Sequence, residues 1–140
     1  MSFKLSVQRT IHAPIEKVWD GLTNPEMVKQ YFFGTQLVTT WQPNSPIFFR
    51  GEWDGKPYED KGIVLKFEAN KTLTYNYHSS WSDLEDRPEN RQIITYSVKS
   101  EGNSTILTIS NRNIDALSKK IDSVKNWTSL TLALKKLMEK

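Results

Sequence analysis

The chain has 140 residues, 37% of them hydrophobic and 25% charged, with six Gly, six Pro and no Cys, which is the composition of an ordinary globular domain and not of a disordered or collagen-like chain. The net charge is +3, from 19 Lys and Arg against 16 Asp and Glu, and the basic residues are spread along the whole chain, which argues against nucleic acid as a partner. The absence of cysteine excludes a disulfide framework, a thiolate nucleophile and Cys-based zinc or iron–sulfur sites.

No apolar run approaches the ~18 residues of a membrane span, and the N-terminus lacks the apolar stretch of a signal peptide. One cytoplasmic domain over residues 1–140, with no membrane partner, is therefore expected. Five Trp, five Tyr and six Phe, mostly in the first two thirds of the chain, supply the amphipathic rings that favour cavities and interfaces.

In chain order, Phe3–Ile11 alternates, with Phe3, Leu5, Val7 and Ile11 on one side and Lys4, Ser6, Gln8 and Thr10 on the other, the period of a half-buried strand. Arg9 interrupts the apolar side, either as a rim residue or as a polar group reaching into a pocket. Pro14 opens a short helix whose Ile15, Val18, Trp19 and Leu22 share a face. Asn24-Pro25-Glu26 starts a second one, with Asn as N-cap, Pro at the first helical position and Glu in the first turn.

From residue 35 to 111 the punctuation is that of an antiparallel meander. Strands are predicted over 36–41, 47–53, 58–68, 72–79, 92–100 and 105–111, with Asp54-Gly55 as the strongest hairpin signal. Gly51 and Gly62 interrupt strands at positions suited to bulges. Leu73, Tyr75 and Tyr77 share one strand face, which predicts a tyrosine-rich inner wall. Residues 116–140 contain no Pro or Gly and carry Ile121, Val124, Trp127, Leu130, Leu134 and Leu137 at spacings of three and four, which predicts one long amphipathic helix. Its other side carries Lys119, Lys120, Lys125, Lys135 and Lys136.

The order strand, two short helices, about six strands and one long C-terminal helix predicts an α+β fold in which a curved antiparallel sheet grips a helix. A curved sheet cannot meet a straight helix over its whole width, so a gap between them is the expected pocket.

At this point a family resemblance appears. Ile11-His12-Ala13-Pro14, Val18-Trp19, Leu22-Thr23-Asn24-Pro25-Glu26, Gly51-Glu52-Trp53-Asp54-Gly55-Lys56, Tyr58-Glu59-Asp60-Lys61-Gly62, Arg87-Pro88-Glu89-Asn90, Asn126-Trp127 and Leu134-Lys135-Lys136-Leu137 together resemble the SRPBCC superfamily. Within it they are most similar to the family of the C-terminal domain of the activator of the 90-kDa heat-shock protein ATPase. The resemblance implies the helix-grip fold, also called START-like or birch-pollen-allergen-like, with a hydrophobic cavity under the long helix. It brings in a heat-shock chaperone as a possible partner. The eukaryotic co-chaperones carry an additional N-terminal domain, and the start of this chain at the first strand argues against direct ATPase activation. Fold does not fix activity within this superfamily.

The candidate ligand-binding residues are Tyr31, Phe32, Phe49, Trp53, Tyr75, Tyr77, His78, Trp81 and Trp127, rings that give an apolar wall with a few polar handles for a small hydrophobic or aromatic ligand. The alternative is that they fill the core. His12 and His78 lie in different elements without helical metal-ligand spacing, and neither a Gly-x-Ser-x-Gly elbow nor a Gly-rich phosphate loop is present. No metal, cofactor or catalytic residue is therefore assigned. A cyclase- or hydrolase-type enzyme using His78 or a carboxylate among Asp83, Glu85 and Asp86 stays open as a third function, beside ligand carrier and chaperone-associated module. Glu59 and Asp60 are expected in a structural salt bridge. The stretch Ser80–Asn90 is either a lid over the cavity mouth or a long hairpin loop.

Overall fold

The structure, a computed structural model, describes residues 2–140. Strand β1 (Phe3–Ile11) leads into helices α1 (Ile15–Thr23) and α2 (Pro25–Tyr31). Strands β2 (Gln36–Thr39), β3 (Pro46–Trp53), β4 (Lys56–Glu68), β5 (Thr72–Tyr77), β6 (Gln92–Glu101) and β7 (Ser104–Ile114) follow, and helix α3 (Leu117–Met138) ends the chain. The seven strands form one antiparallel sheet in the order β1-β7-β6-β5-β4-β3-β2. The meander thus returns to pair its last strand with its first, which is the helix-grip α+β arrangement.

Local chemistry explains the boundaries. Asn24 caps α2 by accepting the Glu26 N–H at 3.0 Å, with Pro25 at the first helical position. Asp54 and Gly55 both take left-handed backbone, φ 52° and 75°, as a two-residue hairpin turn requires. Strand β2 stops at Thr39, short of the predicted Trp41, because Trp41 adopts φ 61° and sends its indole N–H to the Thr23 carbonyl at 3.0 Å. Its ring stacks on Phe67, which in turn meets Trp19, and this fastens the sheet edge to α1.

The predicted bulge sites differ from the observed ones. Pairing of β3 with β4 runs without a shift through Gly51 and Gly62, and the irregularity of β4 falls between Val64 and Lys66. Glycine serves close approach instead: a Cβ on Gly62 would lie 1.7 Å from the Asn76 carbonyl oxygen, and one on Gly51 would lie 2.5 Å from the Tyr58 hydroxyl.

The inner face is set by register. Leu5, Val7 and Arg9 of β1 face Asn111, Ile109 and Leu107 of β7, which oppose Ile94, Tyr96 and Val98 of β6. Tyr75 and Leu73 of β5 continue the same rows. Helix α3 crosses this face, but only its second half is seated: Trp127, Leu130, Thr131, Leu134 and Met138 are buried, and no residue from Leu117 to Asn126 is.

Ile121 and Val124, expected on the inner stripe, are 48% and 37% exposed. Spacings of three and four are satisfied by two overlapping stripes. At about 100° per residue, Ile121 lies about 120° round the helix from Trp127, whereas Lys120 and Ser123 lie in line with it.

Polar contacts secure the seated end. Arg9 reaches inward to the helix, donating from Nη2 to the Thr128 carbonyl at 3.0 Å. Lys135 donates to the Thr10 carbonyl at 2.9 Å and to Glu139, whose Oε2 also accepts the His12 N–H at 2.7 Å. Lys135 is therefore a structural contact between α3 and β1.

This asymmetry has a measurable consequence. Leu134→Ala should cost about 2–5 kcal/mol of stability by opening a cavity at a fully buried position, while Ile121→Ala should stay within about 0.5 kcal/mol. Urea unfolding of the two variants measures both, and equal losses would contradict the half-seated helix.

Candidate ligand-binding interior

The sheet and helices bring six of the nine candidate residues into one ring cluster. Phe32, at the end of α2, stacks on Phe49 of β3 with centroids 5.8 Å apart and meets Trp127 of α3 edge-on at 6.4 Å. Phe49 contacts Tyr75 at 5.5 Å and Tyr77 at 6.0 Å. Tyr31 touches Phe32 at 6.4 Å. Tyr96 of β6, which sequence reasoning did not single out, completes the group against Tyr75 and Trp127. Its position in the alternation Ile94, Tyr96, Val98 was the available signal.

The other three lie outside this group. Trp53, at the β3–β4 hairpin tip, is 61% exposed and meets the equally exposed Phe33 edge-on. Trp81 is 57% exposed and packs on Tyr58 at 5.1 Å. His78 sits past the end of β5 in an isolated bridge with Lys61, its Nε2 3.1 Å from the Leu84 carbonyl. His12 is exposed, with Nδ1 3.0 Å from the Ser104 hydroxyl. Among the described residues no three His, Asp or Glu side chains are grouped to hold a metal ion.

The rings of the cluster close on one another. Two open depressions lie elsewhere: one of about 480 Å³ beside Phe3, Pro88, Arg91 and Ile93, and one of about 710 Å³ along the β3–β4 edge beside Arg50, Gly51, Tyr58 and Glu59.

Polar groups within the cluster are paired. Tyr75 and Tyr96 share a hydroxyl–hydroxyl bond of 2.8 Å, Tyr31 donates to the Gly21 carbonyl at 2.8 Å, and Tyr77 donates to Asp60 Oδ2 at 2.5 Å. Burial pushes all four phenols well above their ordinary pKa, and for Tyr77 the Asp60 charge adds to the effect. The interior therefore presents neutral hydroxyls.

Asp60 also accepts the Ser80 N–H at 2.8 Å and so holds the following loop. Its expected salt bridge is absent from the described residues, and the ion pair belongs to its neighbour: Glu59 bonds Arg50 at 2.7 Å on the outer face. A carboxylate buried beside a phenol is satisfied by hydrogen bonds and needs no cation.

The loop from Ser79 to Arg91 is tied down at several points. Arg91 grips Asp86 with two bonds of 2.9 and 3.2 Å and reaches Asn76 at 3.0 Å, Asn113 donates to the Glu89 and Arg91 carbonyls, and Lys61 pairs with Asp86. Lys119, in the unseated half of α3, bonds Asp83 at 2.7 Å, which links helix and loop, and Asp115 one turn before it at 2.9 Å.

Seven antiparallel strands, two short helices and a long helix laid across a ring-filled concave face define a START-like protein of the SRPBCC type. A family model, Activator of Hsp90 ATPase homolog 1-like protein, matches residues 12–139, and the chain belongs to that family.

The chain is similar to ChR145 from Cytophaga hutchinsonii, known as a solution structure: identity is 36%, the TM-score 0.83, and 98% of this chain and 94% of that one are covered. The Aha1 dimer from Colwellia psychrerythraea, at 18% identity and TM-score 0.75, covers 98% of this chain and 96% of its own. DynU16, a putative protein in the dynemicin biosynthetic locus, has 18% identity and a TM-score of 0.79 over 98% of this chain and 47% of its own, so the present chain spans about half of it. At such identities the last two show the fold alone. No curated protein matches the chain. No helix is long and apolar enough to cross a membrane.

The loop clamp gives a pH prediction. Hydrogen bonding from Arg91 holds the Asp86 carboxyl down from 3.8 to about 2, with Lys61 adding to it against the cost of burial. A folded value below the unfolded one contributes stability that is present above about pH 4 and lost as the pH falls towards 2. Wild type should lose anchoring of the loop in that window, read by Trp81 fluorescence, and Asp86→Asn should remove this component of the acid titration. Superimposable titrations would contradict the clamp.

Proposed function

We propose that the chain binds a small hydrophobic or aromatic ligand between the sheet and α3, under the unseated first half of the helix. One observation carries this reading: from Leu117 to Asn126 the helix buries no residue, while Trp127 at the edge of that stretch meets the rings of Phe32 and Tyr96. The tie from this half of the helix to the loop is the Lys119–Asp83 pair, since Asp115 lies one turn before Lys119 at the helix's own start, and an exposed pair of this kind separates easily because water screens it. A ligand then replaces ring–ring contacts with ring–ligand contacts of similar strength. Phe32 and Tyr77, both only half-buried, are the rings placed to yield.

The reading is tested by titrating the ¹⁵N-labelled chain with 2-naphthol. Saturable one-to-one shifts of the Trp127 indole and of amides in Leu117–Asn126 are expected. Shifts confined to Trp53 and Trp81, or no saturable shift, would contradict it.

A second reading, a chaperone-associated interaction module, is favoured by a different feature. Leu117, Ile121 and Val124 form an exposed apolar line on α3, flanked by Lys120 and Lys125. Such a surface suits a partner with an apolar groove and an acidic rim. If it engages a heat-shock ATPase, pull-down at low salt should capture the chaperone with wild type and lose it with Ile121→Asp. Equal capture by both, or none by wild type, would remove this reading.

A further inference from the structure

Asn111 stands on the inner face of the sheet. It pairs with Leu5 of β1 and Ile94 of β6, both buried, and alternates with Leu107 and Ile109 along β7. It is 3% exposed, and its Oδ1 has no hydrogen-bond partner among the described residues.

The other buried polar side chains of the interior are each paired. Tyr75 bonds Tyr96, Tyr77 bonds Asp60, Thr131 donates to the Trp127 carbonyl and Thr105 to the Ala13 carbonyl. A buried acceptor left alone is costly and calls for an explanation. Its strand neighbours on the inner face, Leu5, Ile94 and Ile109, are apolar.

We infer that Asn111 is the polar anchor of the interior site, and that the ligand is an apolar, aromatic-sized molecule carrying one hydrogen-bond donor, a hydroxyl or N–H, directed at Asn111 Oδ1. The inference rests on the binding reading above and adds the class of ligand. An acceptor-only ligand such as an ether leaves Oδ1 unpaired, and a carboxylate faces it with like partial charge. Discrimination of this kind is strong because the wrong ligand strands a buried polar group.

The test uses the full chain and a matched pair, 2-naphthol and 2-methoxynaphthalene, which share a ring system and differ in the donor. Wild type should bind 2-naphthol about tenfold more tightly, the ordinary worth of one buried hydrogen bond, although the ether is the more hydrophobic compound. The Asn111 side-chain amide resonances should shift with 2-naphthol and stay in place with the ether, a readout that needs no variant.

Asn111→Leu should bind both compounds within about twofold and melt no lower than wild type, since it removes a buried unpaired polar group. Equal affinities in wild type, unmoved Asn111 resonances, or a preference that survives in Asn111→Leu would overturn the role of Asn111 while leaving the interior site standing. Failure of 2-naphthol to bind saturably would overturn both.

Discussion

The fold depends on the seating of one half of one helix. Trp127, Leu130, Thr131, Leu134 and Met138 fill the concave face, and Met138 packs against Gly21 so closely that a Cβ there would lie 2.8 Å from its sulfur. Burial of four large apolar side chains is worth roughly 1.5–3 kcal/mol each, far more than the ion pair that holds the other half. Arg9, Lys135 and Glu139 then lock this end to β1. The sheet needs the helix to cover its inner face, and the helix gives it full cover over about half of its length.

That division separates two kinds of contact. Packing at the C-terminal end holds the architecture, and the N-terminal end is left with charge contacts that solvent can replace. Between them lies a cluster of rings whose hydroxyls are kept neutral by burial and paired with one another, with Asp60 or with the Gly21 carbonyl. Such an interior is apolar in bulk with a few fixed polar points, which is the chemistry of a small-molecule site. The loop carrying Trp81 is bound to the same region through Asp60, Asp86 and Asp83, and Lys119 joins the first half of α3 to it.

Much of the architecture was legible in local sequence chemistry. Alternation in Phe3–Ile11 matched β1 residue for residue, and Asn24-Pro25-Glu26 matched a capped helix start. These signals are local, and local signals survive folding. The site was less legible. Aromatic content does not say which ring faces inward: Tyr75 and Tyr77 follow the strand period into the interior, whereas Trp53 sits at a hairpin tip and Trp81 in a loop, where no period applies. The stripe of α3 was misplaced because Ile121 and Val124 satisfy the same spacing as the buried residues. Asn111 was passed over although it follows Leu107 and Ile109 on the inner side of β7 as a polar residue. That break in an apolar alternation was the available signal, and its meaning needed the register with Leu5 and Ile94.

The most direct test of the half-seated helix is native-state amide hydrogen exchange along α3, resolved by residue. Protection from Trp127 to Met138 should approach the global unfolding free energy, while amides from Ile121 to Asn126 should open with a free energy several kcal/mol lower and independent of denaturant. Uniform protection over both halves, with one shared dependence on denaturant, would contradict the account.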